Sequence, residues 1–151
     1  MRKLSALGLA AAMTLASVGS ALAVPVSGSL NVKLDHVKAV KLNGSPDPAK
    51  DAACADKYRD FIGIDVSAKY NIDKTTGIMD AKADVLGIVT DLHPLGIEGQ
   101  YDFMSDGVPQ ALADKGISRE ILDMSEDLSQ KAFILLASFD KDSNCIITGH
   151  N

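Results

Sequence analysis

A mainly β fold, either an antiparallel two-layer sandwich or a partly closed barrel with one or two short helical insertions, is what the sequence predicts. Three observations predict it. Apolar residues recur with a period of two in several segments of the 151-residue chain. Short stretches of Asp, Lys, Thr, Ser, Asn and Gly separate those segments. The clearest helical signal is brief, running from Asp47 through the Ala-rich Ala49 to Tyr58.

In chain order, Leu30, Val32 and Leu34 alternate with Asn31, Lys33 and Asp35. Val40 and Leu42 return to the same phase after an interruption at His36 to Lys38, which predicts one long bent strand or two with a bulge. Asp47 suits a helix N-cap and Pro48 the first helical position, so a helix over Ala49 to Tyr58 follows, carrying Cys54 towards the last strand. Ile62, Ile64, Val66, Ala68, Tyr70 and Ile72 then alternate with polar residues as a half-buried strand. Asp73 to Gly77 reads as a hairpin turn, and Met79, Ala81, Ala83 and Val85 form the returning strand. The apolar run Leu86 to Val89 breaks that alternation, and Gly87 marks a bulge. Ile97, Gly99, Tyr101 and Phe103 predict a fourth strand. Pro109 to Lys115, closed by Gly116, predicts a short helix. Beyond it, the spacing of Ile117, Ile121, Met124, Leu128 and Ala132 favours a helix, with a strand over Arg119 to Met124 as the alternative. Ala132 to Phe139 and Cys145 to Thr148 complete the strands, joined by a hairpin at Lys141 to Asn144.

The N-terminus reads as an address. Arg2 and Lys3 precede an uncharged apolar stretch, Leu4 to Val18, and Ala21-Leu22-Ala23 has the small-x-small pattern of a signal-peptidase site. The expected organisation is a cleaved signal peptide at 1–23 and a single exported β-rich domain at 24–151. The apolar stretch is shorter than the roughly 20 residues of a membrane-spanning helix, and no later segment approaches that length. Removing 23 of 151 residues leaves 128, and losing Arg2 and Lys3 takes the formal charge from −5 to −7. Nucleic acid is thereby excluded as a partner, since phosphate contacts need clustered Lys and Arg. The periplasm or the exterior is the expected location. In such an oxidising compartment Cys54 and Cys145 pair as one disulfide, two free thiols being the alternative. No Cys-x-x-Cys is present to suggest redox work.

Chemistry offers little. Asp140, Asp142 and Asn144 follow a D-x-D-x-N spacing that can project three oxygen ligands towards Ca²⁺, the one cofactor suggested, and the same residue types also build ordinary hairpin turns. An EF-hand is excluded, because Cys145 stands at the sixth position, where Gly is needed. His36, His93 and His150 show no ligand-like local spacing, although His93 lies near Asp91. Asp123 with Glu126 or Asp127 offers paired carboxylates, ordinarily solvated acids. Motifs for an activated Ser or Cys nucleophile are missing, and the chain has no Trp to build a stacking platform.

Leu42-Asn43-Gly44-Ser45-Pro46-Asp47-Pro48 resembles the first calcium loop of C2 domains, and Phe139-Asp140-Lys141-Asp142 resembles their later aromatic-Asp-x-Asp loop. The two loops stand further apart than such domains place them, and the resemblance covers about a dozen residues, too few to assign the family. It implies Asp47, Asp140 and Asp142 as calcium ligands and anionic-lipid binding as the function. The residues themselves point to a small disulfide-bonded binding module whose partner is an unknown protein or small molecule. The alternatives are a Ca²⁺-stabilised adhesive, matrix or lipid-binding domain and, behind it, a small hydrolase.

Overall fold

The computed structural model describes residues 26–96, 101–125 and 127–151. The signal peptide expected at 1–23, the part of the fourth strand expected at Ile97 to Gln100, and Glu126 lie outside them. Strand accounts for 54% of the structure and helix for 14%, so the mainly β expectation holds.

Nine strands, β1 (Val26–Lys33), β2 (His36–Lys41), β3 (Asp65–Asp73), β4 (Ile78–Val85), β5 (Ile88–Pro94), β6 (Phe103–Met104), β7 (Ile117–Met124), β8 (Lys131–Ser138) and β9 (Ser143–His150), form one sheet in the order β1-β3-β4-β5-β6-β7-β8-β9-β2. Two short helices, α1 (Asp51–Lys57) and α2 (Gln110–Ala113), interrupt the series, α1 being led in by a 3-10 turn at Pro48–Lys50. The chain divides into two compact units. The smaller contains Asn71–Met79, where Asp73 accepts the amides of Thr75 and Thr76 in the expected turn and Asn71 accepts the Ser27 hydroxyl.

The larger unit, Gly28–Tyr70 with Asp80–Asn151, carries most of the sheet, which curls as a half-barrel. Its closure comes from one bend. β1 and β2 are successive in sequence yet stand at opposite ends of the strand order. At the bend the Leu34 amide bonds Ile64 and the Asp35 amide bonds Thr148, both at 3.0 Å, so the chain changes partners from the β3 side to the β9 side between adjacent residues. The bent strand was legible, its phase was not. The break falls at Leu34–Asp35 and shifts the inward set from Leu30, Val32 and Leu34 to Ala39, leaving Leu42 exposed. Gly149 sits beside the bend, where any Cβ would collide with the Lys33 carbonyl.

Inward positions of β5 to β9 hold Leu92, Phe103, Leu122, Phe133, Leu135 and Ile147, all essentially inaccessible to water. Burying each contributes roughly 2 kcal/mol. The disulfide expected between Cys54 and Cys145 is formed, with Cα atoms 5.7 Å apart, and ties α1 to β9 across 91 residues of sequence. Asp51 accepts the Ala39 amide at 2.7 Å and Tyr58 donates its hydroxyl to the Ser138 carbonyl, so α1 is fixed to β2 and β8 as well.

Four expectations are corrected. The strand anticipated from Ile62 begins at Asp65, because a 3-10 turn at Arg59–Phe61 and the positive φ of Gly63 (+90°) hold the preceding residues out of the sheet. Leu86–Gly87 is no bulge but a two-residue hairpin turn: Val85 pairs with Ile88, and both turn residues have positive φ, +56° and +81°, as a type I′ turn demands. Among the described residues of the fourth strand, Phe103 is paired, followed by Met104, as β6, and Tyr101 stands outside it. Where the spacing of Ile117, Ile121, Met124, Leu128 and Ala132 favoured a helix, Ile117–Met124 is strand β7, the alternative reading. A register shift between Ile117 and Arg119 against β8 places Ile117, Glu120, Leu122 and Met124 inward. The extra residue in the bulge gives the first interval a spacing of three, which imitates a helix.

Candidate functional site

The Asp140 turn forms as a hairpin between β8 and β9, and its acids are already engaged. Asp140 Oδ1 accepts the Asp142 amide at 2.8 Å and the Ser143 hydroxyl at 2.7 Å. Its Oδ2 takes the Lys50 ammonium at 2.7 Å, and Asp47 stands 3.8 Å from the same ammonium. Lys50, followed by the Ser143 hydroxyl, holds the Asp140 carboxyl far below the usual carboxylate range. Asp47 and Asp140, distant in sequence, are thus brought together around a cation supplied by the chain itself. Asn144 lies within β9, paired with Ser138, instead of in the turn. Among the described residues no three His, Cys, Asp or Glu groups converge as a metal cluster.

The histidines separate. His93 points at Asp106, Nε2 to Oδ2 3.5 Å, while Asp91 is paired with Lys82 at 2.6 Å, so His93 and Asp91 do not form one site. His36 and His150 come together, their rings stacked with centroids 5.7 Å apart, and His36 Nδ1 lies 2.7 Å from Asp35.

His150 also borders a groove of about 530 Å³ at the ends of β7, β8 and β9. Strand register builds it: Asp123 is opposite Ala132, and Ala132 opposite His150, so three outward positions fall in one row. The small Ala132 forms the floor, and the flanking strands, two spacings apart, set Asp123 and His150 about 10 Å from each other. Lys131, Gln130, Ser125 and Asn151 line the remainder. Asn151 braces it, accepting the Lys131 amide at 2.8 Å and donating to the Ser129 carbonyl at 3.1 Å. Next to it Asp127 accepts the hydroxyls of Ser129 and Ser125, which pull its carboxyl down to about 2.

Asp123 does have an acidic partner, but it is Asp102 on the neighbouring chain segment and not Asp127. Partial burial raises the Asp123 carboxyl above its ordinary value, and the hydrogen bond to Asp102 and that residue's charge raise it further. Asp102 in turn accepts the Met124 amide at 3.0 Å. The groove therefore presents the Asp123 carboxyl on one wall and an ammonium, an imidazole and amides on the others. Such a set can hold a polar ligand bearing both signs of charge.

One ionisable group was not anticipated. Glu120 is fully buried on β7, directly opposite Leu135 of β8, and neither carboxyl oxygen has a hydrogen-bond partner. Burial pushes its carboxyl up to about 7, and the nearby Thr90 hydroxyl opposes this. The signal was present in the alternation Glu120, Leu122, Met124, where an acid occupies an inward position. Comparison with family models, curated proteins and solved structures finds no match for this chain.

Proposed function

We infer that this chain is an exported, disulfide-braced binding module, acting in a periplasm or outside the cell, whose ligand seat is the groove between Asp123 and His150. The Cys54–Cys145 bond is compatible with an oxidising compartment, and no helix among the described residues is long and apolar enough to cross a membrane. One observation carries the reading: the groove is set on three paired strands, with opposite charges on its walls and a small residue at its floor. A rigid platform keeps the ordering penalty of binding low. The ligand class that fits is a short molecule with a cationic end for Asp123 and an anionic end for Lys131, such as an unblocked peptide.

The test is a titration of ¹⁵N-labelled oxidised protein with triglycine, followed through backbone amide shifts. The account expects saturable shifts at Asp123, Ser125, Lys131, Ala132, His150 and Asn151, abolished in Asp123→Asn/Lys131→Gln. Shifts confined to other parts of the sheet, or none at these amides, would remove the groove as the seat.

A further inference from the structure

The fully buried Glu120 lies on a sparsely paired seam of the sheet. β6 is two residues long and contributes two register pairs to β5 and two to β7. Among the described residues the seam continues on one side through Ser105, whose amide donates to the Glu120 carbonyl and whose hydroxyl accepts the Glu120 amide, both at 2.9 Å, and on the other through Asp102, whose carbonyl accepts the Leu95 amide at 2.9 Å and whose carboxylate accepts the Met124 amide at 3.0 Å. By contrast β8 pairs with β7 and with β9 over seven positions each. The side chain at this seam is a carboxyl with both oxygens unpartnered, beside a Thr90 hydroxyl in the same condition. A dry, unpaired carboxylate is strongly disfavoured, whereas a neutral carboxylic acid is tolerated.

Charged neighbours give no relief. On β5, Asp91 is paired with Lys82 and His93 with Asp106, both on the exposed side. Arg119 of β7 directs its guanidinium at the Met104 sulfur and the Asp106 carbonyl. Asp114, after α2, accepts from Gln110, and Asp123 is partnered by Asp102. Lys131, the charged residue of β8, borders the outer groove. Glu120 feels burial and the Thr90 hydroxyl, and no charge.

The geometry points to a proton-operated gate: the β5–β6–β7 seam is closed while Glu120 is protonated, and loss of that proton to solvent drives the carboxylate towards water by parting β6 from its neighbours. The seam opens because it breaks the fewest backbone bonds that expose Glu120. Opening admits water to the interior of the half-barrel, so the module responds to mild alkalinisation independently of what occupies the outer groove.

Amide hydrogen exchange of the oxidised protein between pH 5.5 and 7.5, corrected for intrinsic rates, tests this. The Ser105 and Glu120 amides are expected to be at least tenfold less protected than those of Leu135 and Ile147 throughout, and to lose a further tenfold or more as pH rises. In Glu120→Gln that pH dependence should vanish. Protection at the seam equal to that of β8 and β9 would make opening global and overturn the gate, as would a seam indifferent to pH, or one equally dependent on pH in Glu120→Gln. The first two comparisons need only the wild-type chain, so the test stands even if the variant folds poorly.

Discussion

Lys50 holds its ammonium 2.7 Å from Asp140, a residue 90 positions away, at the point where two acidic loops meet. The resemblance to C2 calcium loops implies Asp47, Asp140 and Asp142 as Ca²⁺ ligands, and the fold puts Lys50 beside Asp47 and Asp140. The arrangement predicts that millimolar Ca²⁺, added and then removed with EDTA, leaves the melting temperature of the wild-type protein unchanged. Lys50→Gln should lower the melting temperature by a few degrees and make it rise again with Ca²⁺. A Ca²⁺-dependent rise in the wild-type protein would show that the ion displaces Lys50 and that the Asp140 turn is a metal site.

Stability should fall as pH rises through the neutral range. Glu120 has a folded-state value near 7 against an ordinary 4.5, so between these values the unfolded chain has released a proton that the folded chain still holds, and each step upward favours unfolding. The full difference is roughly 3 kcal/mol, lost between about pH 4.5 and 7 and constant above. On the acid side the sign reverses: Asp140 and Asp127 are depressed by their partners, and their contribution is lost as pH falls below the ordinary carboxylate range. Urea unfolding across pH should therefore peak near pH 5 in the wild type, and Glu120→Gln should lack the decline from there to about pH 7. Identical profiles for the two proteins would place the Glu120 carboxyl in water.

Leu86 occupies the first position of the β4–β5 turn at φ +56°, a conformation that penalises a branched apolar residue, and it is 49% exposed. With half of the side chain left in water, burial there offsets only part of the strain. Leu86→Asn should raise the unfolding free energy by about 1 kcal/mol, read as a higher urea midpoint at constant slope. A lower midpoint would mean that Leu86 contributes packing the turn geometry does not reveal.

Reducing the disulfide should be more damaging. It spans 91 residues, for which chain entropy alone corresponds to about 4 to 5 kcal/mol, with native-state relaxation lowering the observed loss to about 2 to 4. Urea unfolding with and without dithiothreitol, compared with Cys54→Ser/Cys145→Ser, measures it. An unchanged midpoint would show that α1 stays fixed through Asp51 and Tyr58 without the bridge.

What the sequence could and could not reveal follows from which residues carry the inward pattern. β3 and β4 were legible because Val66, Ala68 and Tyr70, then Ala81, Ala83 and Val85, keep strict alternation with exposed polar residues. The disulfide was legible because only one pairing exists. β7 was not, because a bulge after Ile117 displaces the phase and a glutamate fills the next inward position, so the remaining apolar residues fall at helical intervals. Leu86–Gly87 was obscured because a leucine stands where turn chemistry favours Asn, Asp or Gly. The groove is a product of register: Asp123, Ala132 and His150 share a row through pairings across three strands that no local spacing records.

The inward placement of Glu120 underlies both the topology of β7 and the gate, and one measurement addresses it most directly. Titration of the Glu120 side-chain carboxyl carbon by ¹³C NMR in the folded, oxidised protein should give a midpoint near 7. A midpoint near the ordinary 4.5 would mean that this carboxyl already reaches water, and would contradict the inward register of β7 and the gate built upon it.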